Sequence, residues 1–196
     1  MQQQPVYNGV LLNMRVTTAM RHPCFSCFLS LAGLLWIAPV LAAEAIVTLY
    51  NVNTQGTGTQ AGTVNIVETP YGLLFQPALS SLPTGYHGFH IHEKPSCAPS
   101  EQDGKTLPAG AAGGHFDPDN SGSHQGPYGE GHRGDLPALV VNAQGVADYP
   151  VLAPRLKRIR DITGHALMVH VGGDNYADTP APLGGGGGRM LCGVIR

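Results

Sequence analysis

Apolar and polar positions alternate in short bursts along this chain, and each burst stops at glycine, proline or asparagine. Ala45 to Val52 is rich in β-branched and aromatic residues, which suit a pleated strand. The turn-forming stretch Asn53 to Gly58 breaks it, Gly62 to Glu68 alternates and stops at Thr69-Pro70, and Gly72 to Gln76 and Gly88 to His92 follow. Further along, Leu136 to Val141, Val146 to Val151, Ala166 to Val171 and Met190 to Ile195 show the same character. Strand-length runs bounded by turn residues predict an all-β fold, an antiparallel sandwich or barrel. No stretch sustains a helical period. Leu156 to Asp161 has room for one helical turn.

Two segments are too long to be ordinary turns. Glu93 to Asp135 carries almost no strand pattern, and Gly172 to Gly188 is rich in glycine and proline and ends in consecutive glycines. Long structureless loops inside a compact domain are functional or disordered as a rule. The run Gly184 to Gly188 reads either as a flexible linker or as backbone packed tightly near a site.

The N-terminal region follows another pattern. Phe25 to Leu41 is a largely apolar stretch, Arg21 precedes it, and Leu41-Ala42-Ala43 supplies small residues. A basic flank, an apolar core and a small-residue end make a secretory signal over residues 1 to 43. A membrane anchor is the alternative reading, which Pro39 and the small residues disfavour. Gln2 to Asn13 resemble no signal sequence, so translation is expected to begin at Met14 or Met20. The mature domain is then residues 44 to 196, a length that buries one core.

Composition refines this. Charged residues make up only 12% of the chain, beside 27 glycines and 16 prolines, which fits many turns and excludes a highly charged disordered chain. No basic run argues for nucleic acid, and nothing beyond the signal argues for a membrane. Of the four cysteines, Cys24 and Cys27 fall inside the signal, leaving Cys97 and Cys192. An even pair in an exported chain is most simply one disulfide; two buried free thiols are the alternative.

The candidate chemistry lies in the histidines. His87, His90, His92, His115, His124 and His132 crowd into one glycine-rich stretch, and His170 stands far downstream. Imidazole is the commonest protein ligand for copper and zinc, so this chain is expected to build a metal site. His90 and His92 sit two apart on a strand, so their rings share a face and form half of a tetragonal nitrogen site suited to copper(II). His132-Arg-Gly-Asp135 offers a nitrogen and an oxygen across a tight turn. With His124 and His115 it completes a closed N3O set acceptable to zinc. Asp135 also reads as an ordinary turn carboxylate. His87 and His165 read as hydrogen-bonded structural histidines, and His22 lies in the signal.

Taken together, Gly88-Phe-His-Ile-His-Glu93, Gly114-His115, Gly131-His-Arg-Gly-Asp-Leu136, Val169-His170 and Gly188-Arg-Met-Leu-Cys-Gly-Val-Ile195 resemble the copper/zinc superoxide dismutases. Gly172-Gly-Asp-Asn-Tyr176 and the signal resemble the bacterial periplasmic branch. The resemblance implies a Greek-key β-sandwich or flattened barrel with two long functional loops. It implies one copper and one zinc ion per subunit: copper on His90, His92, His115 and His170, zinc on His115, His124, His132 and Asp135. It further implies an Asp174 carboxylate that hydrogen-bonds His90 on the copper side and His124 on the zinc side, an anion-docking Arg189, a proton-carrying His115 and a Cys97–Cys192 disulfide. Superoxide would be the substrate, dismutated to oxygen and hydrogen peroxide in defence of the periplasm. The family includes monomers, and a homodimer is equally compatible. A non-catalytic copper/zinc-binding or copper-delivery protein on the same fold is the main alternative; it would be expected to lack some ligands or the arginine. One departure is visible: the second loop holds Asp174 and Asp178 but no lysine, so guidance of an anion beyond Arg189 falls to Lys94, Lys105 or Arg133.

Overall fold

The computed structural model describes residues 43 to 196. Met14, Met20, His22, Cys24 and Cys27, with nearly all of the expected signal segment, lie outside the described residues. β1 (Glu44–Asn53), β2 (Gly56–Thr69) and β3 (Gly72–Leu79) form an antiparallel meander. Alternation decides which residues go inside: Val47, Leu49, Val64, Ile66, Leu73 and Phe75 are all buried. Each such side chain contributes roughly 1.5–3 kcal/mol when taken out of water.

β4 (Gly85–His87) runs into β5 (Phe89–His92), and β8 (Leu139–Val141) pairs with β4. β9 (Val151–Ala153), β10 (Ala166–His170) and β11 (Arg189–Val194) complete the barrel strands, and β6 (Ser100–Gln102) with β7 (Lys105–Leu107) forms a separate hairpin. The main sheet runs β5-β10-β11-β1-β2-β3-β9. The chain therefore leaves β3 near one end of the sheet and re-enters as β5 at the other edge, then crosses back from β9 to β10. These two crossings are Greek-key connections. The sheet curls, and the β4–β8 ladder with the Leu79–Ala147 bridge draws its ends together into a flattened barrel.

β5 and β10 position the site. Phe89 and Ile91 point into the main core, which leaves His90 and His92 on the opposite face. β10 is buried on both faces: Leu167 and Val169 join the main core, while Ala166 and Met168 pack with Cys192, Ala109 and Ala112. Cys97 and Cys192 are bonded, with Cα atoms 5.7 Å apart, so the first long loop is tied directly to β11.

The structure departs from the sequence reading in three places. The run Val146 to Val151 is not a strand until Val151. Asn142 Oδ1 accepts the Gln144 and Val146 amides and turns the chain there, and Pro150 has no amide to give. Leu136 to Val141 pairs regularly only from Leu139. The loop expected to lack strands holds the β6–β7 hairpin, turned at Asp103-Gly104 with φ of 50° and 71°. That dipeptide is a hairpin signal, hidden here because its flanks are polar rather than alternating. The helical turn expected within Leu156 to Asp161 is a 3-10 turn at Ile159–Asp161.

Candidate metal centre

The first long loop folds back along the free edge of β5. Phe116 N donates to Ile91 O at 2.8 Å, Ile91 N to Gly134 O at 2.9 Å, and Gly134 N to Phe116 O at 2.8 Å. These bonds set His115 beside His92 and Asp135 beside His90 as isolated bridges. His170, the last residue of β10, pairs in register with Arg189, the first of β11. Residues from distant parts of the sequence thus converge on the non-core face of β5.

Two four-residue donor clusters result. His90, His92, His115 and His170 place one ligand atom each within 4.8 Å of the others, and so do His115, His124, His132 and Asp135. All are buried. Hydrogen bonds identify which nitrogen each ring has free. His90 commits Nε2 to Asp174 at 2.8 Å, His92 commits Nδ1 to Gly113 O at 2.9 Å, and His170 commits Nδ1 to Gly187 O at 3.2 Å. Their remaining nitrogens face the first cluster, where His92 Nε2 and His170 Nε2 lie 3.3 Å apart. His115 is shared: Nδ1 stands 2.9 Å from Asp135 Oδ1, leaving Nε2 for the first cluster.

The buried nitrogens His90 Nδ1, His115 Nε2 and His124 Nδ1 have no hydrogen-bond partner. His124 Nδ1 is 3.0 Å from Asp135 Oδ2, close but without hydrogen-bond alignment. An unsatisfied buried polar atom costs about 1–3 kcal/mol, and several aimed at common points are what ligands of an ion would show. A four-imidazole set suits copper(II), and a closed N3O set suits zinc. The residues present fit both ions.

Electrostatics agree. Burial pulls His90 down to about 3, aided by the neighbouring His115 and opposed by Asp174. Burial likewise leads the fall of His170 to about 4 and lowers His92 and His115. The first cluster is therefore presented neutral, the form that binds metal. Burial also pulls on His124, but the Asp135 and Asp174 carboxylates against its ring outweigh it and hold it up to about 9. Burial pushes both carboxyls up, yet their histidine contacts keep Asp135 and Asp174 far below the ordinary carboxylate range. The second cluster is thus a negative pocket that retains a cation, be it a proton or a metal.

Asp174 accepts from His90 Nε2 and His124 Nε2, both at 2.8 Å, and so spans the two clusters. Room for that carboxylate comes from Gly184, at φ +69°, where any Cβ would collide with Asp174 and His124. Of the two readings of the glycine run, tight packing is the one observed. Arg189 donates Nη1 to Ala109 O at 2.5 Å and Nη2 to Gly113 O at 2.6 Å. The Gly113 carbonyl therefore holds both Arg189 and His92.

His87 joins neither cluster: its ring contacts His170 O at 2.9 Å and Pro83 O at 2.8 Å. His165 contacts Glu93 O at 2.7 Å and lies tilted against Phe116, the ring centroids 4.3 Å apart. Both fit structural roles. Arg133 is ion-paired with Asp119 at 2.6 Å, which removes it from the free cations considered for guiding an anion; Lys94 and Lys105 remain exposed. Sequence reasoning did not find the Gly113, Gly187 and Ala109 carbonyls, since any residue carries one. It also read Asp178 only as a loop charge, whereas that carboxylate accepts the His124 amide at 2.9 Å.

A family model described as copper/zinc superoxide dismutase matches residues 60 to 195. The chain belongs to the copper/zinc superoxide dismutases. A superoxide dismutase [Cu-Zn] of Brucella abortus is 52% identical, over 87% of this chain and 99% of its own. The solved copper/zinc superoxide dismutase of Brucella abortus superposes with a TM-score of 0.78 at 55% identity, covering 79% of this chain and 100% of that one. The monomeric copper, zinc superoxide dismutase of Salmonella enterica gives 0.72 at 56%, with the same coverage. Copper and zinc are the ions of this family, and the two donor clusters could hold them.

Proposed function

We propose that His90, His92, His115 and His170 hold copper, that His115, His124, His132 and Asp135 hold zinc, and that on them the chain dismutates superoxide to oxygen and hydrogen peroxide. One observation carries the assignment: His115 offers Nε2 to one buried cluster and Nδ1 to the other. When bound, copper supplies the one-electron exchange between two successive superoxide anions, and zinc supplies a fixed positive charge.

The chain's own residues do the rest. Arg189 is half-buried and held at two carbonyls, so its remaining N–H groups stand ready for an anion without reorganising. His115 Nε2 takes up a proton when free and delivers it to the reduced substrate. Meanwhile the zinc-side contacts at Nδ1 keep the ring in place. Two superoxides and two protons then leave as one oxygen and one hydrogen peroxide. Asp174 fixes the orientation of His90 and His124, as carboxylates behind metal-bound histidines do. Both clusters are complete within one chain, so no donor is assigned to a second copy, and a homodimer would add none.

Residues 1 to 43 act in this reading as the secretory signal, and residues 44 to 196 as the dismutase domain that guards the periplasm. The Cys97–Cys192 bond supports export, since disulfides persist in oxidising compartments. N-terminal sequencing of chain recovered from a periplasmic fraction should begin near Glu44; recovery only from the cytoplasm would sink this part.

The central test is a dismutation assay on purified mature protein with copper and zinc measured per chain. The expected result is one of each, with activity lost on copper removal and restored on its return. Both metals without activity would instead identify a copper/zinc-binding protein that does no catalysis.

A further inference from the structure

The second long loop touches the zinc-ligand loop at more points than Asp174 alone. Asp178 Oδ2 accepts the backbone amide of His124 at 2.9 Å, and its Oδ1 accepts the Leu183 amide at 3.2 Å, next to the Gly184 that makes room for Asp174. Two residues before Asp178, the Tyr176 ring lies over Gly126, which itself follows His124 by two. A Cβ on Gly126 would fall 2.6 Å from the ring, and Gly126 has φ +67°. The Tyr176 hydroxyl accepts the Ala138 amide at 3.0 Å, and its own amide donates to Asp174 Oδ1 at 2.8 Å. Tyr176 keeps this position at φ +60°, a conformation unfavourable for a bulky residue, so the surrounding contacts hold it there.

We propose that Tyr176 and Asp178 are positioning residues that latch the second loop onto the zinc-ligand loop and hold His124 from its backbone side. Asp174 holds the same histidine through its ring. With both ends of His124 fixed, Nδ1 stays aimed into its cluster, and the loop that carries Asp174 stays registered to it. The latch contacts fall on the His124 side, whereas the first cluster meets this loop only at its far ends, His90 through Asp174 and His170 through the Gly187 carbonyl. Loosening it therefore weakens retention at the second cluster more than at the first. This inference rests on the assignment of His115, His124, His132 and Asp135 as one ligand set.

The test uses mature protein with copper at the first cluster and cobalt(II) as a coloured probe at the second. Cobalt release into excess chelator is followed by the visible band of tetrahedral cobalt, and copper retention by its own absorption. In Tyr176→Ala/Asp178→Asn, cobalt should leave about 10-fold faster than in the parent, the scale set by outer-shell partners of metal ligands. Copper release should quicken far less than cobalt release. Tyr176→Phe, which keeps the ring on Gly126, should restore most of the retention that Tyr176→Ala loses. If the double variant fails to fold, Asp178→Asn alone carries the measurement, since Asp178 is exposed. Unchanged cobalt release, or equal acceleration of both metals, would overturn the latch. A parent protein that shows no tetrahedral cobalt band would overturn the ligand assignment beneath it, a distinct result.

Discussion

Replacing both Cys97 and Cys192 with alanine should cost stability and loosen Arg189 together. The bond closes a loop with a sequence separation of 95. Chain-entropy reasoning for that length gives about 16 cal/mol/K, or about 4.7 kcal/mol at room temperature. Alanine suits this test better than serine: Cys192 is buried among Ala109, Ala112, Ala166 and Met168, where a hydroxyl would lie unpartnered. The lost sulfur volume adds roughly 1 kcal/mol. A loss of about 5–6 kcal/mol is a third or more of the 5–15 kcal/mol typical of a domain. Urea unfolding of metal-free protein should show it as a midpoint lowered by about 2 M. The functional half follows from geometry. Ala109 and Gly113, whose carbonyls hold Arg189, lie in the tethered loop. The variant should therefore bind copper yet show a reduced kcat/KM. A stability loss below about 1 kcal/mol would refute the entropy argument, and an unchanged kcat/KM would refute the link between the bridge and the arginine.

Other expectations follow from the same contacts. Asp174→Asn leaves one oxygen for two histidine donors and should weaken zinc retention about 10–100-fold, measured by competition with a chelator. Arg189→Ala should lower kcat/KM with copper content unchanged, and equal activity at low salt would remove the arginine from the reaction. Ala181→Lys places a cation on the cavity beside His170, in a loop without lysine; it should raise kcat/KM at low ionic strength, with the gain fading as salt increases. For pH, the raised His124 stabilises metal-free protein fully below the unfolded histidine value of about 6.5 and loses that contribution as pH rises through about 9. The depressed His90 and His170 act oppositely, losing their contribution as pH falls from about 6.5 toward their folded values. Metal-free Tm should therefore decline on both sides of about pH 6.5, whereas zinc, in the place of the His124 proton, should flatten the alkaline side. A metal-free Tm indifferent to pH between these limits would contradict the assigned contacts.

Much of the barrel was legible because its strands bury one face. Phe89-His90-Ile91-His92 shows how: period-two alternation is enough to separate two core residues from two candidate ligands. The same rule misplaced Val146 to Val151, where turning depends on one asparagine side chain and a missing proline amide. The candidate ligands were legible because few residue types bind metal. Their second partners were not, since the carbonyls of Gly113 and Gly187 are chemistry that every residue carries. Asp178 looked like an ordinary loop charge because its role lies in the backbone amides it meets.

The two long loops carry little regular structure, yet both lie against the barrel. Their order rests on a few polar convergences: the edge bonds to β5, the Asp135 and Asp174 carboxylates, and the disulfide to β11. The last two depend on conditions rather than on apolar burial. The carboxylates need a cation opposite them, and the bridge needs an oxidising compartment. The core can therefore form first, with the ligand geometry completed when ions are bound and the hold on Arg189 completed when thiols are oxidised. For a redox enzyme this order has a consequence. Arg189 is docked at Ala109 and Gly113 by the same loop that the disulfide tethers, so a chain still reduced would hold its core but not the anion site proposed at Arg189. Activity would then mature after folding, in step with oxidation and metal uptake.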